Sequence, residues 1–357
     1  MSPDDREISD AALDHLRQVA EWPDLSGTRY ELIRELARGG MGVVYQARDR
    51  ELERTVALKV LAGVEAGPEA TTRLRREALI IAGLEHPGIV PVHDVGTLPD
   101  GRVFYAMKLV DGSRLDALVH AGAAVPALLR IFLRICEPVA FAHAHAVIHR
   151  DLKPENVMVG TFGEVLVMDW GVAKRQGEVP DRASASPLAP SPAGDTAHGT
   201  VLGTPAYMAP EQARGEIGRV DARADVYALG AILYFMLTGR PPGPTDEAFD
   251  AETRTWPGYR GPRPAPVIPP RRRTSTVPRP LEAICLKALA SAPEERYAAV
   301  QDLSRDVAQY LEGASVSAYP EGPWRRTLRF TAKYRAPILV ILAYVVMRVL
   351  LLAVARV

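Results

Sequence analysis

His149-Arg150-Asp151-Leu152-Lys153-Pro154-Glu155-Asn156 is the stretch on which the reading of this chain turns. It sets a carboxylate and an amide five residues apart with a lysine between them. Such a set can position a hydroxyl nucleophile, screen a transferred phosphate and hold a metal ion. Eighteen residues after Asp151 comes Asp169-Trp170-Gly171, at the end of the apolar run Val165–Met168, which reads as a strand. A carboxylate there can bind Mg2+ bridging phosphates.

Toward the N-terminus, Gly39-Gly40-Met41-Gly42 lies between two strand-like runs. Glycines there let the backbone approach a polyphosphate and aim N–H groups at it; taken alone, the run also reads as an ordinary Gly-rich hairpin. Lys59 follows in Val56-Ala57-Leu58-Lys59, seventeen residues past Gly42. An ammonium buried in an apolar strand needs an anionic partner. Glu77 can supply it: on the helix expected from about Glu69 to Leu84, Leu74, Glu77, Ala78 and Ile81 follow i, i+3, i+4, i+7, so this carboxylate faces inward. Toward the C-terminus, Gly203-Thr204-Pro205 through Ala209-Pro210-Glu211 is a turn-rich segment that closes Gln176–Val201, a Ser-, Ala- and Pro-rich stretch that reads as a mobile loop.

Around these motifs the hydrophobic period changes once. Tyr30–Leu36, Val43–Arg48, Val56–Leu61, Val92–Val95 and Val103–Lys108 read as strands separated by Gly, Pro and Asp turn signals. From Leu115 onward helical runs dominate, notably Leu128–Ala144, Ala224–Leu237 and Leu281–Leu289. A small β-rich lobe followed by a larger helical one is the expected architecture. Arg240–Pro280 holds eleven of the 30 prolines, so no long helix runs through it.

At 357 residues with 47% hydrophobic and 24% charged residues, the chain suits one two-lobed unit with short extensions. Its two cysteines, Cys136 and Cys285, sit in apolar helical runs without metal-ligand spacing and read as buried reduced thiols, which places the body in a reducing cytoplasm. His143, His145 and His149 are closely spaced, yet a packing role for His143 is expected over zinc. The net charge of zero hides a split: seven basic and no acidic residues follow Glu321, leaving 36 basic against 43 acidic residues up to and including it. A mildly acidic body argues against nucleic acid as a partner. Ala336–Ala355 is apolar over 20 residues apart from Arg348, about the length of a membrane-spanning helix. An interfacial helix and a packed soluble helix are the other two readings. The basic cluster before it would keep residues 1–335 in the cytoplasm, and the acid-bearing first 30 residues lack a signal-peptide core.

Taken together, the motifs resemble the eukaryotic-like protein kinase family in its bacterial Ser/Thr (Hanks-type) branch, over about residues 28–312. The resemblance implies an α+β, two-lobed protein kinase fold with a small antiparallel N-lobe carrying one main helix and a larger helical C-lobe. The implied organisation is an extension over 1–27, the N-lobe over 28–110, the C-lobe over 111–312, a basic linker over 313–335 and the apolar helix over 336–355. It further implies ATP and Mg2+ as cofactors and protein hydroxyls as substrates. Leu36 through Val44, including Ala37, Gly39, Gly40, Met41 and Gly42, look like the loop over ATP. Lys59 looks like the lysine on the α/β-phosphates and Glu77 like its helix partner. Val44, Ala57 and Met158 would sandwich adenine, with Met107 at its back and Lys108–Val110 as hinge. Asp151 resembles the catalytic base, Lys153 the γ-phosphate contact, and Asn156 and Asp169 the metal ligands. Asp225 resembles the carboxylate that braces the catalytic loop, and Glu211 would pair with Arg296.

There are departures from the family pattern: Ala37 replaces the first loop glycine, Trp170 replaces phenylalanine, and Lys108 stands where an acidic residue is common. Lys153-Pro154-Glu155 resembles the Ser/Thr form of the loop, with Thr204 beside the acceptor hydroxyl, against tyrosine or small-molecule phosphorylation. Arg150 beside Asp151 is a cation awaiting a partner; loop phosphothreonine at Thr196 or Thr200, formed in a transient contact between two copies, could provide one. The bland reading leaves those threonines idle. A kinase-fold scaffold with little turnover is the rival function.

Overall fold

The computed structural model describes residues 22–39, 42–61, 68–170, 173–175, 205–243, 267–320, 340–341 and 343–348. The first lobe is an antiparallel sheet of β1 (Tyr30–Gly39), β2 (Gly42–Asp49), β3 (Arg54–Val60), β4 (Val92–Thr97) and β5 (Val103–Lys108), in the order β1-β2-β3-β5-β4. A period of two sorts its side chains. Val43, Tyr45, Ala47, Val56, Leu58, Val60, Phe104 and Ala106 form an outer cluster, which Trp22 and Leu25 help to cover. The alternate residues Ala57, Tyr105 and Met107 belong to the main core, on the face that looks toward the second lobe. Helix α1 (Pro68–Ala82) packs on β4 and β5, burying Leu74, Ala78 and Ile81 as the helical spacing predicts. It stops at Ala82, where the Gly83 amide bonds back to Leu79 and Ile80.

The second lobe runs through β6 (Gly112–Arg114), α2 (Leu115–His120), α3 (Val125–Ala144), β7 (Val147–Ile148), β8 (Val157–Gly160), β9 (Val165–Val167), β10 (Lys174–Arg175), α4 (Pro210–Ala213), α5 (Arg223–Thr238), α6 (Pro270–Arg273), α7 (Arg279–Ala288) and α8 (Val300–Leu311). Helix α5 is buried at every residue from Ala224 to Leu237, as expected of a helix apolar all round, and the other helices pack about it. Strands β6, β8 and β9 form a small sheet beside the cleft, and β7 pairs with β10. Of these strands of two to four residues only β9 was expected, from the apolar run Val165–Met168; the others are too short to carry a readable period.

Both cysteines are buried and unpaired. Among its described residues the Pro-rich region contributes the four-residue α6 and the first two residues of α7. Most of the extension over 1–27, the loop 176–201 and most of 336–355 lie outside the described residues. Among the described residues no helix is long and apolar enough to cross a membrane. Those described within the apolar tail, Val340, Ile341 and 343–348, are helical and exposed.

Candidate active site

The roof of the cleft follows from strand register. Val44 on β2 faces Lys59 on β3, which faces Tyr105 on β5, while Ala57 faces Met107. Cross-strand partners share a face, so one surface presents Val44, Ala57, Lys59, Tyr105 and Met107 side by side. Ala37 lies opposite Val44, and Gly39 opposite Gly42. Gly42 has φ 152°, and a Cβ there would collide with the Val60 carbonyl oxygen, so no side chain fits the turn. Leu36 and Val44 pack at the edge of the main core, and Met158 on β8 sits half-buried beneath, opposite Arg114 and Leu166. Gly40 and Met41 lie outside the described residues.

At the inner end of this roof Lys59 Nζ donates to Glu77 Oε1 at 2.8 Å and to Asp169 Oδ1 at 2.9 Å. Burial alone would lower the pKa of this ammonium, but the groups around it, Tyr105, Glu77 and Asp169, push it upward, so Lys59 stays charged. Tyr105 Oη donates to Glu77 Oε1 at 2.8 Å and holds that carboxylate from behind. Tyr105 was not singled out in the sequence, since an aromatic residue in an apolar strand reads as core. Asp169 is held below the usual carboxylate range: burial opposes ionisation, and Lys59 outweighs it.

The floor is the loop after β7. Asp151 Oδ2 accepts from Lys153 Nζ at 2.7 Å, and Asn156 Nδ2 donates to the Asp151 carbonyl at 2.8 Å. Asp225, buried at the start of α5, accepts the backbone amides of His149 and Arg150, each at 2.8 Å, and a 2.7 Å contact from His143 Nε2. This accounts for His143 as a structural partner of Asp225. The backbone is strained in this loop at Arg150 (φ 71°) and after β9 at Asp169 (φ 57°), both in the left-handed region. Gln212 on α4 steadies it by donating to the Arg150 carbonyl at 3.0 Å, a role with no sequence signal. Trp170 is fully buried against the His149 ring at 4.5 Å, and its indole N–H reaches the Val167 carbonyl at 3.3 Å, a bond phenylalanine lacks.

Arg150 Nε is a buried donor with no partner among the described residues, and burial together with Arg76 makes its charge costly despite Asp225. Thr196, Thr200 and Thr204 lie outside the described residues. Below the site Glu211 and Arg296 form a two-bond fork, both contacts at 2.7 Å.

Burial would raise the Asp225 carboxyl, but the His143 bond, the neighbouring imidazoles and the Arg150 amide outweigh it and hold its pKa below the ordinary 3.8. A carboxylate depressed on folding contributes stability that is complete above the unfolded value and lost as pH falls through the folded one. The stability difference between wild type and Asp225→Asn should therefore be constant near neutrality and shrink below about pH 4. Urea titrations across that range check it, and a gap unchanged down to pH 3 would contradict it.

A family model described as protein kinase domain matches residues 30–307. The chain belongs to the protein kinase family. It is 40% identical over 302 residues to serine/threonine-protein kinase PknB of Mycolicibacterium smegmatis, covering 83% of this chain and 45% of that protein. It is 35% identical over 308 residues to serine/threonine-protein kinase PknD of Protochlamydia amoebophila, covering 80% of this chain and 30% of that protein. The crystal structure of the Mycobacterium tuberculosis PknI kinase domain superposes with a TM-score of 0.56 at 26% identity, covering 79% of this chain and 96% of that one. The kinase fold expected from the sequence is thereby established, in company with bacterial Ser/Thr kinases. The chain spans less than half the length of these curated relatives.

Proposed function

We propose that this kinase-family chain transfers the γ-phosphoryl group of Mg-ATP to Ser or Thr hydroxyls of proteins. The observation that carries the reading is the convergence on one cleft of the Lys59–Glu77–Asp169 ion cluster and the Asp151–Lys153–Asn156 set. Lys59 would hold the α/β-phosphates, with Glu77 and Tyr105 keeping its ammonium in place. Asp151 would orient the acceptor hydroxyl and take its proton, while Lys153, already in contact with that carboxylate, would neutralise charge on the moving phosphoryl. The adenine slot would be lined by Leu36, Ala37, Val44, Ala57, Met107 and Met158.

The donor chemistry fits a hard cation. Asp169 offers a carboxylate and Asn156 an amide whose nitrogen is committed to Asp151, which leaves its oxygen as the ligand atom. Asp169 and Asn156 would hold Mg2+, which would supply positive charge to neutralise the phosphate oxygens. Asp225 and Gln212 do the remaining work of keeping the loop in shape.

The partnerless Arg150 donor supports regulation by phosphothreonine at Thr196 or Thr200, with Thr204 beside the acceptor and the modification made between two transiently paired copies. Incubating the full chain with Mg-ATP and mapping phosphate by mass spectrometry tests both levels. Wild type should carry phosphate on those threonines and Asp151→Asn should carry none; equal uptake by both would refute the assignment.

The exposed apolar helix around Val340–Met347 and the basic residues before it support anchoring of a cytoplasmic kinase body in the cell membrane. The full chain should then require detergent while a 1–320 truncation does not, and a full chain soluble without detergent would exclude the anchor.

A further inference from the structure

Two ion pairs among the described residues join the lobes, and they differ in where they lie. Lys59–Asp169 sits inside the cleft, where phosphates and a cation would compete for both groups. Lys108–Glu164 sits outside it, across the hinge, with Nζ 3.8 Å from Oε1. Lys108 ends β5 and is fixed to the first lobe through its register with Val56 and its amide bond to the Pro91 carbonyl. Glu164 precedes β9 in the second lobe. Only Leu109, Val110 and Asp111 separate β5 from β6. Their far end is pinned as well, because the Thr161 amide bonds the Asp111 carbonyl at 3.0 Å and Gly112 pairs with Gly160.

The hairpin is built to aim this carboxylate at the hinge. The Gly160 amide bonds the Glu164 carbonyl, and a Cβ at position 160 would collide with the Glu164 carboxyl group, so only glycine there lets the side chain fold back. Glu164 Oε2 is buried without a hydrogen-bond partner among the described residues, which leaves Lys108 as the cation nearest to balance it.

We infer that Lys108 and Glu164 form a latch that spans the three-residue hinge and limits how readily the lobes part, and with it how fast nucleotide leaves. The pair positions the lobes and touches no reacting atom. Its nucleotide role rests on the ATP reading above, whereas its effect on the hinge does not. An ion pair of this exposure changes an equilibrium by up to about fivefold, and about threefold is expected here.

The test uses the full chain with Glu164→Lys, Lys108→Glu and the double swap. Amide exchange at Leu109–Asp111 in nucleotide-free protein should rise about threefold in each single variant and return to the wild-type rate in the swap. In Glu164→Lys the KM for ATP and the release rate of a fluorescent ADP analogue should rise by the same factor without a fall in kcat, and 0.5 M salt should move wild type toward that variant. Because Lys108 borders the adenine slot, nucleotide kinetics are read in Glu164→Lys alone, and the swap is judged by hinge exchange in nucleotide-free protein. Unchanged hinge exchange in Glu164→Lys, or a swap no better than the worse single variant, overturns the latch. Protein that shows the exchange pattern yet binds no nucleotide would instead overturn the ATP reading.

Discussion

Phosphate transfer by Asp151→Asn protein is expected to fall by about two to four orders of magnitude, the usual contribution of a positioned acid or base. The substitution keeps the shape of the side chain, and Asn156 Nδ2 bonds the backbone carbonyl of residue 151 at 2.8 Å in addition to its weaker 3.3 Å contact with the carboxylate. The loop should therefore keep its form, and its amides remain tied to Asp225. What is lost is the acceptor for a proton and the anion that holds Lys153 at 2.7 Å. Nucleotide affinity should change less than about threefold, since Lys59 has its own partners in Glu77 and Asp169. Rapid-quench measurement of transfer beside calorimetric titration of nucleotide separates the two effects. A variant that loses transfer and nucleotide binding in equal measure would show the loop to have collapsed, and one that loses neither would remove Asp151 from the chemistry.

The second large effect is on stability. Arg296 uses all five of its N–H donors: two on Glu211, and one each on the carbonyls of Ala290, Arg223 and Ser291. Its guanidinium also lies over the Tyr227 ring at 5.0 Å, and both partners of the ion pair are sealed from solvent. Removing one charge from such a pair strands the other, at a cost of about 3–5 kcal/mol. Glu211→Gln should accordingly lower the melting temperature by roughly 10 °C. Replacing both residues, Glu211→Leu with Arg296→Met, should recover part of that loss, because neither charge then remains unpaired. Calorimetry decides; a shift under about 2 °C for the single variant would mean the fork is not fully desolvated.

What the sequence revealed and what it concealed divide along physical lines. The Lys59–Glu77 contact was legible because a strand lysine and a helix carboxylate both sat on faces otherwise apolar. The pairing of Glu211 with Arg296 came from resemblance, since nothing in their local runs links residues so far apart. Tyr105 stayed hidden, its hydroxyl being invisible in an apolar pattern until the strand register set it behind Glu77. The same holds for Gln212, whose carboxamide serves two backbone groups on different segments. The left-handed backbones at Arg150 and Asp169 had no glycine to announce them. Two- and three-residue strands such as β7 and β6 owe their existence to neighbours in space and leave no period of their own.

That left-handed turn at Asp169 also bears on how such a chain can lose its activity. Among side chains other than glycine, asparagine tolerates this backbone about as well as aspartate does. A single transition in an aspartate codon gives asparagine, so the mutation that deletes the anion there is both genetically near and conformationally cheap. Under the proposed function, well-folded descendants that transfer no phosphate would therefore be one base away, whereas exchange for a β-branched residue at the same place would disrupt the turn as well.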